Sequence, residues 1–456
     1  MNPPSWCPMR ILLALVLACI GLCAQVVQES FGRDPGPLDF IRGEGYEQAI
    51  LQALTGDALV GRDAAGRVVP RLAEHWDWRN GALRFRIRRD ARFADGSPVR
   101  LEDVLWTMKA IQKDSKASPT KRAMLQGVQA RRVGGFLEVR ADRPRERLLC
   151  DLAQVAIARA GHPTVGSGPF SLSMKEGEWH LAARSHFLAP RIQGLRFRLI
   201  ADDQALLQNL QKGWLTLGVP PARRGLRPPP SHRELRQPLN AQLIVWSRVG
   251  AEPLRCLERW RQEAVPGDFF GGQAQPSRGL WPETLGFSPR SMAAVPKNPP
   301  RDARWEILYT TGDLTAEKLM LALRERARHE GVRLEPRAVE AAILFERLTR
   351  GDFQLACAVN VFDPHPWAIL DLLIPEGAVN FSRWHHPRLS DLLPRLVDGK
   401  ASAWNDLQSL WAENPTSLPL LDFMGTVWVD TRLDVAPSAQ GLYLSTPGAA
   451  GWSWKP

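Results

Sequence analysis

The sequence predicts an α/β protein with enough chain for two lobes or more. Three observations carry that prediction. Residues 305–334 read as strand, helix and strand in succession, and residues 83–108 read as strand, turn and helix. The third is size: 456 residues, 44% hydrophobic and 23% charged, are ordinary globular values for a chain that divides its core.

In the earlier of these segments, Val68-Val69-Pro70 enters a short turn and Leu72 to Trp76 packs an apolar edge around the Trp76 ring. Leu83, Phe85 and Ile87 alternate with Arg84, Arg86 and Arg88, the period of a half-buried strand. Asp95-Gly96 and Pro98 make a turn. Leu101, Val104, Leu105 and Met108 then share one helical face, with Glu102 and Asp103 in the first turn, where carboxylates favour the helix dipole. Further on, Phe136 to Val139 reads as a strand and Leu148 to Ile157 as a helix, before the tight turn Gly166-Ser167-Gly168-Pro169-Phe170. That turn lacks the G-K-(S/T) of a phosphate loop, and Ser167 lacks the G-x-S-x-G frame of a hydrolase elbow. Leu195, Phe197 and Leu199 form a strand, and Asp202 to Lys212 a helix closed by Gly213. Pro220 to Pro238 reads as a loop or connector, and Leu243 to Trp246 as a buried strand beside the first crossing between lobes.

The later segment is the clearest βαβ unit. Trp305, Ile307 and Tyr309 alternate, Thr315 is placed to cap a helix carrying Leu319, Ala322, Leu323 and Ala327, and Gly331 stops it. Val332 and Leu334 resume a strand, so a parallel pair is expected. A helix from Val339 to Leu348 leads to a strand at Phe353 to Ala356. No internal repeat appears.

Charge and cysteines narrow the function. The net charge is +11 and the pI about 9.7, yet the 59 Lys and Arg are scattered without a long run, so nucleic acid is not an expected partner. The 17 Trp supply ring faces that serve equally as core. Arg10 precedes an apolar run from Ile11 to Leu22, the form of a secretory signal over residues 1–24. Cleavage after Ala24 and lipoprotein processing before Cys19 both remain open, with simple secretion preferred. Outside that segment stand Cys150, Cys256 and Cys357, widely spaced, and buried thiols are the expected reading.

The ordered residues Pro70, Leu72, Ala73, Trp76, Ile87-Arg88, Phe93, Asp95-Gly96, Pro98 and Asp103-Val104 resemble the extracellular solute-binding proteins of family 5, the peptide, nickel and opine receptors of ABC importers. Gly166 to Phe170, Asn380-x-Ser382-x-Trp384 with Pro387, and Leu418-Pro419-Leu420 resemble later motifs of that family. Departures are Phe40 where the opening motif has Pro, and Thr216 where a G-x-x-D motif has Asp. The resemblance implies a periplasmic binding protein-like α/β fold, two lobes with a hinge and an inserted subdomain in the first. Lobe I would span 25–245 with the insert at about 45–163, lobe II 246–424, and 425–456 would return to lobe I. It further implies a periplasmic monomer that passes a peptide or other small solute to an inner-membrane ABC permease, with no catalysis and no cofactor.

Ligand residues follow from the resemblance. Asn360 to Trp367 would enter the cleft, and Asn360 stands where peptide-binding relatives carry the Asp that pairs with the peptide amine. An amide there forfeits the charge-assisted part of that bond, about 1–2 kcal/mol. Asp363 and His365 lie in a D-P-H run similar to that of nickel-binding members. One imidazole without convergent ligands does not make a metal site, so loop capping is favoured for His365. Trp367 would stack on the ligand, and Glu44, Tyr46 and Trp106 would line the opposite lobe. Their structural alternatives are a helix-terminal charge and two core rings. Lys121 and Arg122 read as a solvated helix end, with a ligand carboxylate as the alternative.

Overall fold

The computed structural model describes residues 26–63, 67–221, 225–265, 269–270, 272–282, 302–362, 366–375, 377, 379–397, 401–435 and 448–455. The signal segment therefore lies outside the described residues. The chain divides into two compact units: one of residues up to 221, 226–235 and 426 onward, the other of 222–225 and 236–425.

In the first unit, β1 (Val26–Phe31) runs parallel to β10 (Gly194–Leu199), which pairs antiparallel with β9 (Glu178–Ala183), and β9 with β8 (Phe170–Lys175). Helix α1 (Tyr46–Thr55) lays Ile50, Leu51 and Leu54 into the core beneath this sheet, with Phe40, Phe170, Trp179 and Phe197. A second antiparallel sheet is ordered β4 (Ala73–Arg79), β5 (Ala82–Ile87), β7 (Phe136–Arg140), β6 (Gln129–Val133), and a separate pair joins β2 (Val60–Arg62) to β3 (Val68–Pro70). Val68 to Pro70 is thus a short strand, not a turn, because the 60–62 segment supplies it a ladder. Helices α2 (Leu101–Lys113), α3 (Pro119–Met124) and α4 (Arg145–Leu152) close a distinct core over Leu83, Phe85, Val104, Met108 and Leu137. Helix α4 ends five residues before the sequence suggests, and Ile157 is buried in extended chain whose N–H donates to the Asp57 carbonyl. Helix α5 (Asp203–Gln211) starts with the Asp202 side chain accepting from the Ala205 N–H, and β11 (Leu217–Gly218) follows.

Strand β12 (His232–Ser247) begins in the first unit and continues into the second. It absorbs the end of the expected 220–238 loop, since His232 and Leu235 are buried there. The second unit adds α6 (Glu252–Ala264), β13 (Ala274–Pro276), β14 (Arg304–Thr310), α7 (Leu314–His329), β15 (Arg333–Val339), α8 (Ala341–Arg350) and β16 (Leu355–Val361). Strand β14 pairs parallel with both β15 and β16, as the βαβ pattern requires, and β16 runs antiparallel to β12. Asp313, not Thr315, caps α7, its carboxylate accepting from the Ala316 N–H at 2.9 Å. Val339 closes β15 and is not helical. After α9 (Leu370–Leu373), α10 (Leu389–Val397) and α11 (Ala401–Glu413), β17 (Ser417–Asp430) returns the chain to the first unit, where β18 (Leu433–Asp434) pairs with β19 (Ser453–Trp454). Cys150, Cys256 and Cys357 are all buried, and burial pushes the Cys256 thiol up to about 11. Among the described residues no helix is long and apolar enough to cross a membrane.

Candidate functional site

The motif residues of the first unit turn out to hold the backbone. Asp95 folds its carboxylate onto the Ser97 N–H (3.0 Å) and hydroxyl (2.7 Å), and Gly96 takes φ of 86°, which a side chain would strain. Asp103 accepts from the Arg100 N–H at 2.8 Å with one oxygen and from the Ala160 N–H at 2.9 Å with the other, so it caps α2 and pins the chain ahead of the Gly166 turn. Arg184 donates to the carbonyls of Gly168 (3.1 Å), Arg92 (3.0 Å) and Phe93 (2.6 Å) and so clamps that turn onto the Phe93 loop.

Glu44 is exposed, and its carboxylate accepts from the Ser118 hydroxyl and from the Thr120 N–H at 3.3 Å. Of the two roles expected for it, the helix-terminal one is what the contacts display, at the start of α3. Trp106 is half-buried and packs against both cores of this unit. Tyr46 opens α1 with 62% of its surface exposed. Desolvation of its hydroxyl, then the charges of Glu29 and Glu47, push its pKa up to about 12.

Lys121 overturns the solvated-end reading. Its ammonium is buried and donates to the carbonyls of Phe40 (2.9 Å) and Gly43 (3.4 Å) and to Gln52 Oε1 (2.8 Å). Burial lowers its pKa to about 8, against the raising charges of Glu44 and Asp39. A base whose folded pKa lies below its unfolded one, about 10.4, leaves the folded state short of a proton between the two values. Stability therefore rises with pH from about 8 to 10.4, by up to about 1.4 kcal/mol per unit from this group. Urea unfolding of wild type and Lys121→Met across that window measures it: the stability difference between them should grow with pH, and parallel curves would reject the assignment.

In the second unit, Asn360 is half-buried on β16 directly opposite Gln242 of β12. Gln242 Nε2 donates to Asp422 Oδ1 at 2.7 Å, and the Ser277 hydroxyl donates to the same oxygen at 2.7 Å. The neutral amide of Asn360 thus neighbours a buried polar cluster that the sequence did not announce, because its members come from three distant segments. Asp363 and His365 lie outside the described residues. Trp367 belongs to a single 3-10 turn, Pro366–Ile369, and its side chain is likewise outside them.

The Asn380 motif is structural. Asn380 Nδ2 donates to the carbonyls of Ile374 (2.9 Å) and Trp384 (2.8 Å), and Oδ1 accepts from the Trp384 N–H at 2.7 Å. The Ser382 and Thr416 hydroxyls bond at 2.8 Å, and the Trp384 indole donates to the Asn414 carbonyl at 3.0 Å. Asn380→Ala should cost about 2–3 kcal/mol by orphaning these buried groups. A melting temperature equal to wild type would contradict that role.

Residues 67–224 match the family described as "Bacterial extracellular solute-binding proteins, family 5 Middle". Over that stretch the chain is similar to family 5. Solved structures extend the likeness to nearly all of it. The unliganded open form of MppA, a periplasmic murein tripeptide binding protein, superposes at a TM-score of 0.79 with 16% identity, covering 94% of this chain and 97% of its own. The oligopeptide-binding protein AppA from Bacillus subtilis, in complex with a nonapeptide, gives 0.68 with 13% identity, covering 94% and 99%. A nickel ABC transporter protein from Bacillus halodurans gives 0.72 with 16% identity, covering 90% and 96%. No curated protein matches the chain by sequence. The fold is the periplasmic binding protein-like α/β fold.

Proposed function

We propose that this chain is the substrate-binding component of an ABC importer. It captures a peptide-like or small amine or carboxylate solute without catalysis, in the periplasm, as a monomer, and delivers it to an inner-membrane permease. The observation that carries this reading is the agreement of fold over more than nine-tenths of the chain with proteins named for tripeptide and oligopeptide binding, together with the family 5 match of residues 67–224. Among ligand residues, Tyr46 is the side chain of the first unit whose ring is open to solvent, and Asn360 is the half-buried amide of the second.

A rival reading has one observation in its favour. Asn360 offers no charge, so a sensor or interaction protein descended from a transporter receptor would account for the change equally well. A nickel chelate is the remaining alternative, resting on His365. Native mass spectrometry of protein purified from its own compartment, before and after denaturation, separates the three. A released peptide or amine supports the receptor reading, and bound nickel supports the chelate. A protein that is empty, and whose melting temperature stays flat across peptide and metal libraries, moves the assignment to the sensor.

A further inference from the structure

Strand β1 carries a carboxylate where its pattern calls for an apolar side chain. Val27 and Phe31 enter the core of the first unit, and the two-residue period puts Glu29 in the same inward row. Glu29 is 6% exposed, and its Oε2 has no hydrogen-bond partner. Its ladder partner is Phe197 of β10, which supplies no side-chain donor. The strand is held in this register by Thr216, whose hydroxyl accepts from the Gln28 N–H at 3.0 Å and whose own N–H donates to the Gln28 carbonyl at 2.8 Å. Among the described residues no cation pairs with it, and its titratable neighbours are Tyr46 and, beyond it, Glu47 of α1. Buried carboxylates are ordinarily paired, and one kept without a partner is a mark of a group awaiting its counterpart.

We propose that Glu29 is the acidic partner of an ammonium group on the captured solute, with the open ring of Tyr46 beside it. The inference rests on the solute-capture reading above. In the unliganded protein burial raises the Glu29 pKa well above that of a free carboxyl, which favours the neutral acid. A cation arriving there displaces the proton to solvent, and carboxylate and cation pair by a charge-assisted bond. Balance is kept: one proton leaves for each cationic group bound by a protonated Glu29.

The test uses the full chain and two probes, a mixed tripeptide pool with free amines and the same pool acetylated at every amine. Wild type should be stabilised against melting by the free pool, and Glu29→Gln should need at least tenfold more of it for the same shift. The acetylated pool should act weakly and alike on both proteins. Unliganded Glu29→Gln should melt no lower than wild type, which checks its folding. Equal response of the two proteins to the free pool, or an undiminished response of wild type to the acetylated one, overturns the role of Glu29 while solute capture stands. No response of wild type to either pool, with no solute released on denaturation, overturns capture and this inference together.

Discussion

Asp57→Asn should destabilise the first unit by about 3–5 kcal/mol, the largest effect expected of any single substitution considered. The Asp57 side chain is fully buried. It accepts from Arg71 Nε at 2.9 Å on one oxygen, with a second guanidinium contact from Nη2, and faces His186 Nε2 at 2.8 Å on the other. The amide isostere keeps the volume and loses the charge, leaving the largely buried Arg71 guanidinium without its counter-ion, and that is where the penalty arises. The carboxylate also sets the pH response. Burial pushes the Asp57 carboxyl up, but the Arg71 charge and the His186 ring together outweigh it and hold the pKa below the usual range. An acid whose folded pKa is depressed contributes stability above its unfolded pKa, about 3.9, and loses it as pH falls from there through the folded value. Guanidinium unfolding at pH 7 and at points below 4 should therefore show wild type and Asp57→Asn far apart at neutral pH and converging in acid. A constant gap would mean the loss comes from packing and not from charge.

Gly168→Ala should cost about 3 kcal/mol, near the upper end for overpacking a closed site. The Gly168 N–H donates to the Thr55 carbonyl at 2.8 Å, so the turn lies on the end of α1. A Cβ added at Gly168 would stand 2.5 Å from Gly56 N and 2.5 Å from the Thr55 carbonyl carbon, both backbone atoms that no rotamer can move aside. Gly166 is as tightly placed, its missing Cβ falling on the Thr55 carbonyl and the Phe40 ring. Ser167 is buried between the two glycines, and its Oγ has no partner, so Ser167→Ala is the control and should be close to neutral. Thermal melts of the two variants would decide the matter, and equal losses would locate the cost elsewhere in the turn.

The contrast between these sites explains what could be read from the chain. Where an element is fixed by its own period or its own turn chemistry, the sequence determined it. The alternation of Leu83, Phe85 and Ile87, the Asp95-Gly96 turn, the helix from Leu101 and the parallel β14–β15 pair are local consequences of side-chain spacing, and family resemblance added the fold they build. Partners far apart in the chain were decided only by tertiary structure. Lys121 looks like a solvated helix end until the Phe40 to Gly43 loop closes over its ammonium. Asp57, Arg71 and His186 carry no shared motif, and Gln242, Ser277 and Asp422 converge from three segments. Glu29 had one local signal, a charge in the inward row between Val27 and Phe31, but a strand's period cannot say whether its buried carboxylate will find a partner. Burial and pairing are properties of the packed molecule, because each depends on which surfaces folding removes from water.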